Sequence, residues 1–420
     1  MNNLRTFLIA LSVGMIIGDS GSAAQQMAPQ YVTDAVGVHF NPQSHKVLLW
    51  DWGYPGGAAV VVLGPNWKPS YFVVGCAVGT RETPSDSCKV SAEESAAAPM
   101  SETSVFNLAS VGKLFTALIL AHTTDMSLKD NPGTYITNLT GGCINSKTLG
   151  EIASQSSGLT EYPNPQACPG TPHKGVYNYV DYIQNLNCWG NLPSACPLAG
   201  YYIYSDNGFI LLRLLLANHL KASFPSLVGQ LAQKLSLSQT SMPRKQLPVS
   251  AVQGYNCYPP STDAGVESGC DGLPVKVADE LAHSWYQDNA DNGGQVWSSP
   301  SDMAALAQLA LPFGQNIHAP ADWLQAMNKT EQIIFEGCGP TNTQNCKAPY
   351  PYQVGMAWQQ SITSNGTRIL GKNGGVPFSS TYVGLAPDLG IAVVVLVNRG
   401  RVEAATAGQQ ILEAIAAHFN

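Results

Sequence analysis

Charge is scarce in this chain: 12% of its 420 residues are Asp, Glu, Lys or Arg, with a formal net charge of −7. No Lys/Arg cluster occurs, which argues against nucleic acid and acidic membrane surfaces as partners. No C-x-x-C pair or His-rich helix is present, so no metal site is expected. The eight histidines are scattered singly and no G-x-S-x-G elbow exists, which leaves a Ser-His-Asp triad without a visible base or turn. Gly112-Lys113 is not a phosphate loop, because Asn107 and Leu114 break G-x-x-x-x-G-K-[ST]. The apolar run at residues 7–17 is too short to span a bilayer comfortably, and there is no internal repeat.

What is present reads as a loop-rich globular protein, with 40 Gly and 28 Pro and enough length for one large domain or two. Arg5, the apolar stretch at 7–17 and the small residues Ser22-Ala23-Ala24 together predict a signal peptide over residues 1–24. The protein is therefore expected to be exported, periplasmic or extracellular, and free of the membrane after cleavage. The Gly18-Asp19-Ser20-Gly21 string falls in that discarded segment and carries no weight. Ten cysteines in an exported chain predict disulfides. They fall as close neighbours, Cys76/Cys88, Cys143/Cys168, Cys188/Cys196, Cys257/Cys270 and Cys338/Cys346, which favours five sequential bridges although spacing does not fix connectivity.

Residues 58–64 and 70–78 read as a hairpin across Gly64-Pro65-Asn66. Helices are expected from Ser110 to about His122 or Thr124, at 208–220, at 302–311 and at 402–418. Strands are expected at 352–360, 378–386 and 391–398, the last two joined by a turn at Pro387-Asp388-Leu389-Gly390. Residues 24–51 have no assignable pattern. The expected organisation is a discontinuous sheet domain, residues 25–125 and 345–420, interrupted by a mostly helical insertion over residues 126–344.

Three short strings carry chemistry. In Ser110-Val111-Gly112-Lys113 the spacing is about one helical turn, so the lysine can lie behind the serine hydroxyl and activate it. In Tyr204-Ser205-Asp206-Asn207-Gly208 a tyrosine near lysines would have its phenolate favoured by their charge and could exchange protons. In Gly371-Lys372-Asn373-Gly374-Gly375 a lysine on an edge strand offers charge for a carboxylate, and the glycines leave amides exposed to an oxyanion. Alone, each string also fits a plainer account: a capped helix, a buried tyrosine, a turn with a solvated lysine.

In the order S-x-x-K, Y-x-N/D, K-x-G, these strings resemble the serine β-lactamase and penicillin-binding superfamily. The branch is similar to class C β-lactamases, D-Ala-D-Ala carboxypeptidases and related esterases. The flanks agree: residues 106–117 match F-x-x-A-S-x-x-K-x-F-T-A, and residues 148–159 resemble the LL-x-H-T-S-G-L segment. Residues 298–303 resemble S-T-P-x-D-M, and residues 386–395 resemble the family's final hairpin. The resemblance implies an α+β fold, an antiparallel sheet flanked by helices plus an inserted helical domain, and no cofactor. It implies Ser110 as the acylated nucleophile, Lys113 as its activator and Tyr204 as general base and acid. Lys372 would bind a carboxylate or tune Tyr204, with the amides of Ser110 and Gly375 as the oxyanion hole. Asp206, Asn373, Gly374 and Gln155 fall at its substrate-binding positions.

Two departures bear on substrate. Asp206 stands where class C β-lactamases carry Asn; an ionised carboxylate only accepts and would pair with Lys113 or Lys372. Asn373 replaces Thr or Ser and removes a hydroxyl. The expectation is a monomeric exported serine acyl-hydrolase acting on β-lactam or D-Ala-D-Ala-like amides, its partner a small-molecule or peptidoglycan-peptide substrate. The alternatives are a secreted carboxylesterase and a non-catalytic penicillin-binding or scaffold protein on the same fold.

Overall fold

The computed structural model describes residues 27–420 except 42, 45, 51–53, 84, 91–95, 160, 162–186, 188–195, 197, 244–245, 256–294, 313–318, 342–345, 348–349, 401 and 420. The expected signal segment and Cys168, Cys188, Cys257 and Cys270 lie outside the described residues.

The chain opens with helix α1 (Gln30–Gly37), in the stretch whose sequence showed no pattern. Strands β1 (Pro55–Gly64) and β2 (Trp67–Thr80) form the expected hairpin. The short strands β3 (Ala98–Pro99) and β4 (Phe106–Asn107) lead to helix α2 (Lys113–His122). Helices α3 (Leu149–Ala153), α4 (Asp206–Leu220) and α5 (Phe224–Lys234) come next. Strand β5 (Trp297–Ser298) and helices α6 (Pro300–Leu309) and α7 (Ala321–Glu331) precede the C-terminal strands. Those are β6 (Phe335–Gly337), β7 (Tyr352–Val354), β8 (Gln359–Ile362), β9 (Arg368–Val376), β10 (Ser379–Ala386) and β11 (Ile391–Val397). Helix α8 (Ala404–Ala416) closes the described chain.

One antiparallel sheet holds nine of these strands in the order β3-β2-β1-β11-β10-β9-β8-β7-β6. Strands β1 and β11 read as unbroken apolar runs because both faces of the sheet are covered. Ala59, Val61, Leu63, Val394 and Leu396 face the core built on α2, α4 and α6. Their alternates Val60, Val62, Val393 and Val395 face α1 and α8, where Ile411, Leu412 and Ile415 are fully buried. Each such side chain contributes about 1.5–3 kcal/mol relative to exposure. The region expected as one strand at 352–360 divides into β7 and β8, because Ala357 takes a positive φ of 69° in the turn between them.

Cys76–Cys88 and Cys338–Cys346 are bridged as expected. Neither the Cys143/Cys168 nor the Cys188/Cys196 pairing holds: Cys143 bridges Cys196, 53 residues away. The helical turn Gly142–Asn145 brings Cys143 to a Cα–Cα distance of 6.1 Å from Cys196, within bridging reach. Folding thus overrides proximity in sequence. Among the described residues no helix is long and apolar enough to cross a membrane.

Candidate active site

The turn that carries Ser110 is built before α2 begins. Asn107 ends β4, and its Oδ1 accepts the Ala109 N–H at 2.8 Å. Ala109 holds φ 47°, an unfavourable region for a residue with a Cβ, and a single 3₁₀ turn, Ala109–Gly112, follows. Three anchors hold the turn. Ser379 Oγ donates to Asn107 O at 2.7 Å, Thr381 Oγ1 donates to Leu108 O at 2.8 Å, and Leu108 N–H donates to Val296 O at 2.9 Å. Ser379 and Thr381 were not singled out from the sequence. Their signal was available, since hydroxyls at i and i+2 share one face of a strand.

Lys113 enters the first turn of α2 and is 5% exposed. Its Nζ lies 2.9 Å from Ser110 Oγ and 2.7 Å from Tyr204 Oη, and it forms an ion pair with Asp206 Oδ1. An ammonium has three N–H donors, and these partners use all of them. Tyr204 Oη also bonds Ser110 Oγ. Ser205 caps α4 by accepting the Gly208 N–H at 2.9 Å, which sets Asp206 at the positive end of the helix. The structure thus brings Ser110, Lys113, Tyr204 and Asp206 into one hydrogen-bonded cluster.

The charge states differ from the simplest expectation. Burial first, and then the Asp206 carboxylate, push the Tyr204 phenol above its ordinary range, so its phenolate is disfavoured and not favoured. Burial and the Asp206 charge set the direction, against the expectation drawn from the lysines. Burial lowers Lys113, with Asp206 opposing. Burial and the neighbouring Lys113 charge bring Lys372 down to about 7.

Lys372 is not on an edge strand as such, since β9 pairs with both β8 and β10. The β8 pairing stops at Gly371, however, so residues 372–376 have one unpaired side. Lys372 Nζ donates to Asn373 O at 3.0 Å and lies 5.2 Å from the centre of the Tyr204 ring. Asn373 and Gly375 are exposed, whereas Gly374 is buried against the Ser110 turn. Gln155 turns its side chain onto the backbone beside Tyr204. It is 4% exposed and its Oε1 accepts the Ser205 N–H at 2.6 Å.

The family whose model is described as Beta-lactamase matches residues 49–416. A class C beta-lactamase from Rhodobacter sphaeroides superposes with a TM-score of 0.65 at 19% identity, over 93% of this chain and 99% of that one. A beta-lactamase from Sulfitobacter sp. EE-36 gives a TM-score of 0.66 at 20% identity, over 95% of this chain and 100% of that one. A class C beta-lactamase solved in complex with cefoxitin gives 0.66 at 17% identity, over 92% and 99%. Identities this low establish the fold, a large antiparallel sheet flanked by helices. No curated protein matches the sequence.

Proposed function

The chain belongs to the beta-lactamase family, and from that premise we propose that it is an exported serine acyl-hydrolase acting through an acyl-enzyme on Ser110. The observation that carries this reading is the closed set of contacts among Ser110 Oγ, Lys113 Nζ and Tyr204 Oη, with Asp206 on the amine. Export is supported by bridged cysteines, which persist in oxidising compartments.

The opposed shifts of Lys113 and Tyr204 divide the proton work. Burial favours the neutral amine of Lys113, which leaves a lone pair to accept a proton, and keeps Tyr204 in its protonated form, which has a proton to give. Lys113 acts in its neutral form, and Ser110 Oγ attacks the acyl carbon as its proton passes to the amine lone pair. The carbonyl oxygen becomes an oxyanion at the Ser110 and Gly375 amides. Collapse breaks the amide or ester bond while Tyr204 protonates the leaving group and regains its proton from Lys113. Water then repeats the sequence and frees Ser110.

Two substrate classes fit. A β-lactam or D-Ala-D-Ala-like amide would set its carboxylate against Lys372. A small ester would need no such charge, and Asp206, held on Lys113 as a pure acceptor, favours this second reading. Intact-mass analysis with a penicillin and a nitrophenyl ester, followed by peptide mapping, separates them. An adduct or turnover with either reagent at Ser110 is expected; inertness to both would refute the hydrolase reading.

Lys372 makes the two classes differ in pH dependence. Its amine is charged below about 7 and neutral above it. KM for a carboxylate-bearing substrate is therefore expected to rise as pH rises through that range, while KM for a neutral ester stays flat. Parallel KM–pH profiles for the two would show that Lys372 does not bind the carboxylate.

A further inference from the structure

We infer that Gln155 is a positioning residue for Tyr204, a single side chain and its own carbonyl clamping the two peptide groups on either side of the tyrosine. The inference rests on the acyl-enzyme reading above and adds to it a residue that acts through Tyr204 and not on substrate. The Ile203 N–H donates to Gln155 O at 2.7 Å, and the Ser205 N–H donates to Gln155 Oε1 at 2.6 Å. Residues 203 and 205 therefore answer to one anchor, and Tyr204 is fixed between them.

The anchor is itself held. A capping box starts α3: Glu151 N–H donates to Thr148 Oγ1 at 3.1 Å and Thr148 N–H donates to Glu151 Oε2 at 2.7 Å. The helix ends by turning through Gln155 at φ 63°, with Gln155 N–H on Ile152 O and Ser156 N–H on Glu151 O. That left-handed turn aims the residue 155 carbonyl and side chain at one extended segment. Gly200 N–H bonds Ser156 O at 3.0 Å and Tyr202 N–H bonds Cys338 O at 2.9 Å, so the same segment is tied further upstream. Neither of these reaches past residue 202. Among the described residues, Gln155 bonds the peptide groups on both sides of the tyrosine.

The Gln155 Oε1 is engaged by the Ser205 N–H, and burial at 4% exposure leaves little water to replace a lost acceptor. The side-chain length also matters: Asn would stop one methylene short of the Ser205 N–H. A displacement of Tyr204 by even 1 Å would part its Oη from Ser110 Oγ, and misplacement on that scale costs about 10²-fold in rate.

The test is a double-mutant cycle read by the acylation burst with a nitrophenyl ester, each variant melted alongside. Gln155→Met removes the acceptor and keeps the length. It is expected to slow acylation by about 10²-fold with ester KM within about threefold. Gln155→Glu restores an acceptor and should recover most of the rate. In a Tyr204→Phe background, Gln155→Met should slow acylation by less than about threefold, since its effect runs through the missing hydroxyl. Wild-type acylation by Gln155→Met overturns the inference, as does an equal loss in both backgrounds, which would mark a general effect on the fold. A wild-type enzyme acylated by neither a penicillin nor the nitrophenyl ester removes the reaction itself and the inference with it, a result distinct from the other two.

Discussion

Lys113→Met is expected to slow acylation of Ser110 by about 10³–10⁴-fold while leaving the protein folded, at the upper end of what one proton-transfer group supplies. The loss is large because one amine serves three partners. Without it, on the proposed mechanism, Ser110 Oγ would lose its proton acceptor and Tyr204 Oη the donor that reprotonates it, and Asp206 would lose its counter-charge. Groups that act as a unit fail together, so a second change at Tyr204 should add little. Folding should survive. Methionine has nearly the length of lysine and carries no desolvation penalty at a site only 5% exposed. The stranded Asp206 side chain is 25% exposed and can be solvated in place. Stopped-flow burst kinetics with a nitrophenyl ester, beside a thermal melt, decide it. A folded Lys113→Met enzyme within tenfold of the wild-type burst rate would mean that another group takes the serine proton.

Sequence spacing exposed the cluster unevenly. Ser110 and Lys113 were legible because three residues along a helical start form one local unit, whatever the rest of the chain does. Tyr204 and Asp206 were legible as residue types at a helix head, but their charge states were not. Those depend on burial and on which lysine Asp206 meets, and both are set by packing between segments some 90 positions apart. The hairpin of β1 and β2, the β10–β11 pair and helices α2, α4, α6 and α8 follow from local periodicity and turn residues. Helix α1 has no comparable local signature; it is stabilised by packing on α8, with Val32 and Val36 fully buried there. The Cys143–Cys196 bridge and the Gln155 clamp were hidden for one shared reason. Each joins residues about 50 apart, and nothing in either segment alone names its partner.

Gly374→Ala is expected to damage the enzyme next most severely, through the same local geometry seen from the sheet. A Cβ on residue 374 would stand 2.5 Å from Leu108 O and 2.9 Å from Ser110 N, and would overlap Thr381 Oγ1. Two of these are backbone atoms of the Ser110 turn, which have no rotamer to escape into. The turn cannot simply retreat. Its carbonyls are tied to Ser379 and Thr381, and Ala109 already holds φ 47°. Relief must therefore come from moving Ser110, whose amide is one of the two proposed oxyanion donors, or from parting β9 from β10. Losing one such donor costs about 10²–10³ in rate, and overpacking of this kind costs about 1–3 kcal/mol of stability. Gly375→Ala is the matched comparison for the fold, because its Cβ meets nothing within 4 Å; its stability should stay within about 0.5 kcal/mol of wild type. Burst kinetics and urea unfolding of both variants test the pair. A Gly374→Ala enzyme that acylates and unfolds like wild type would show that close approach of β9 does not set the position of Ser110.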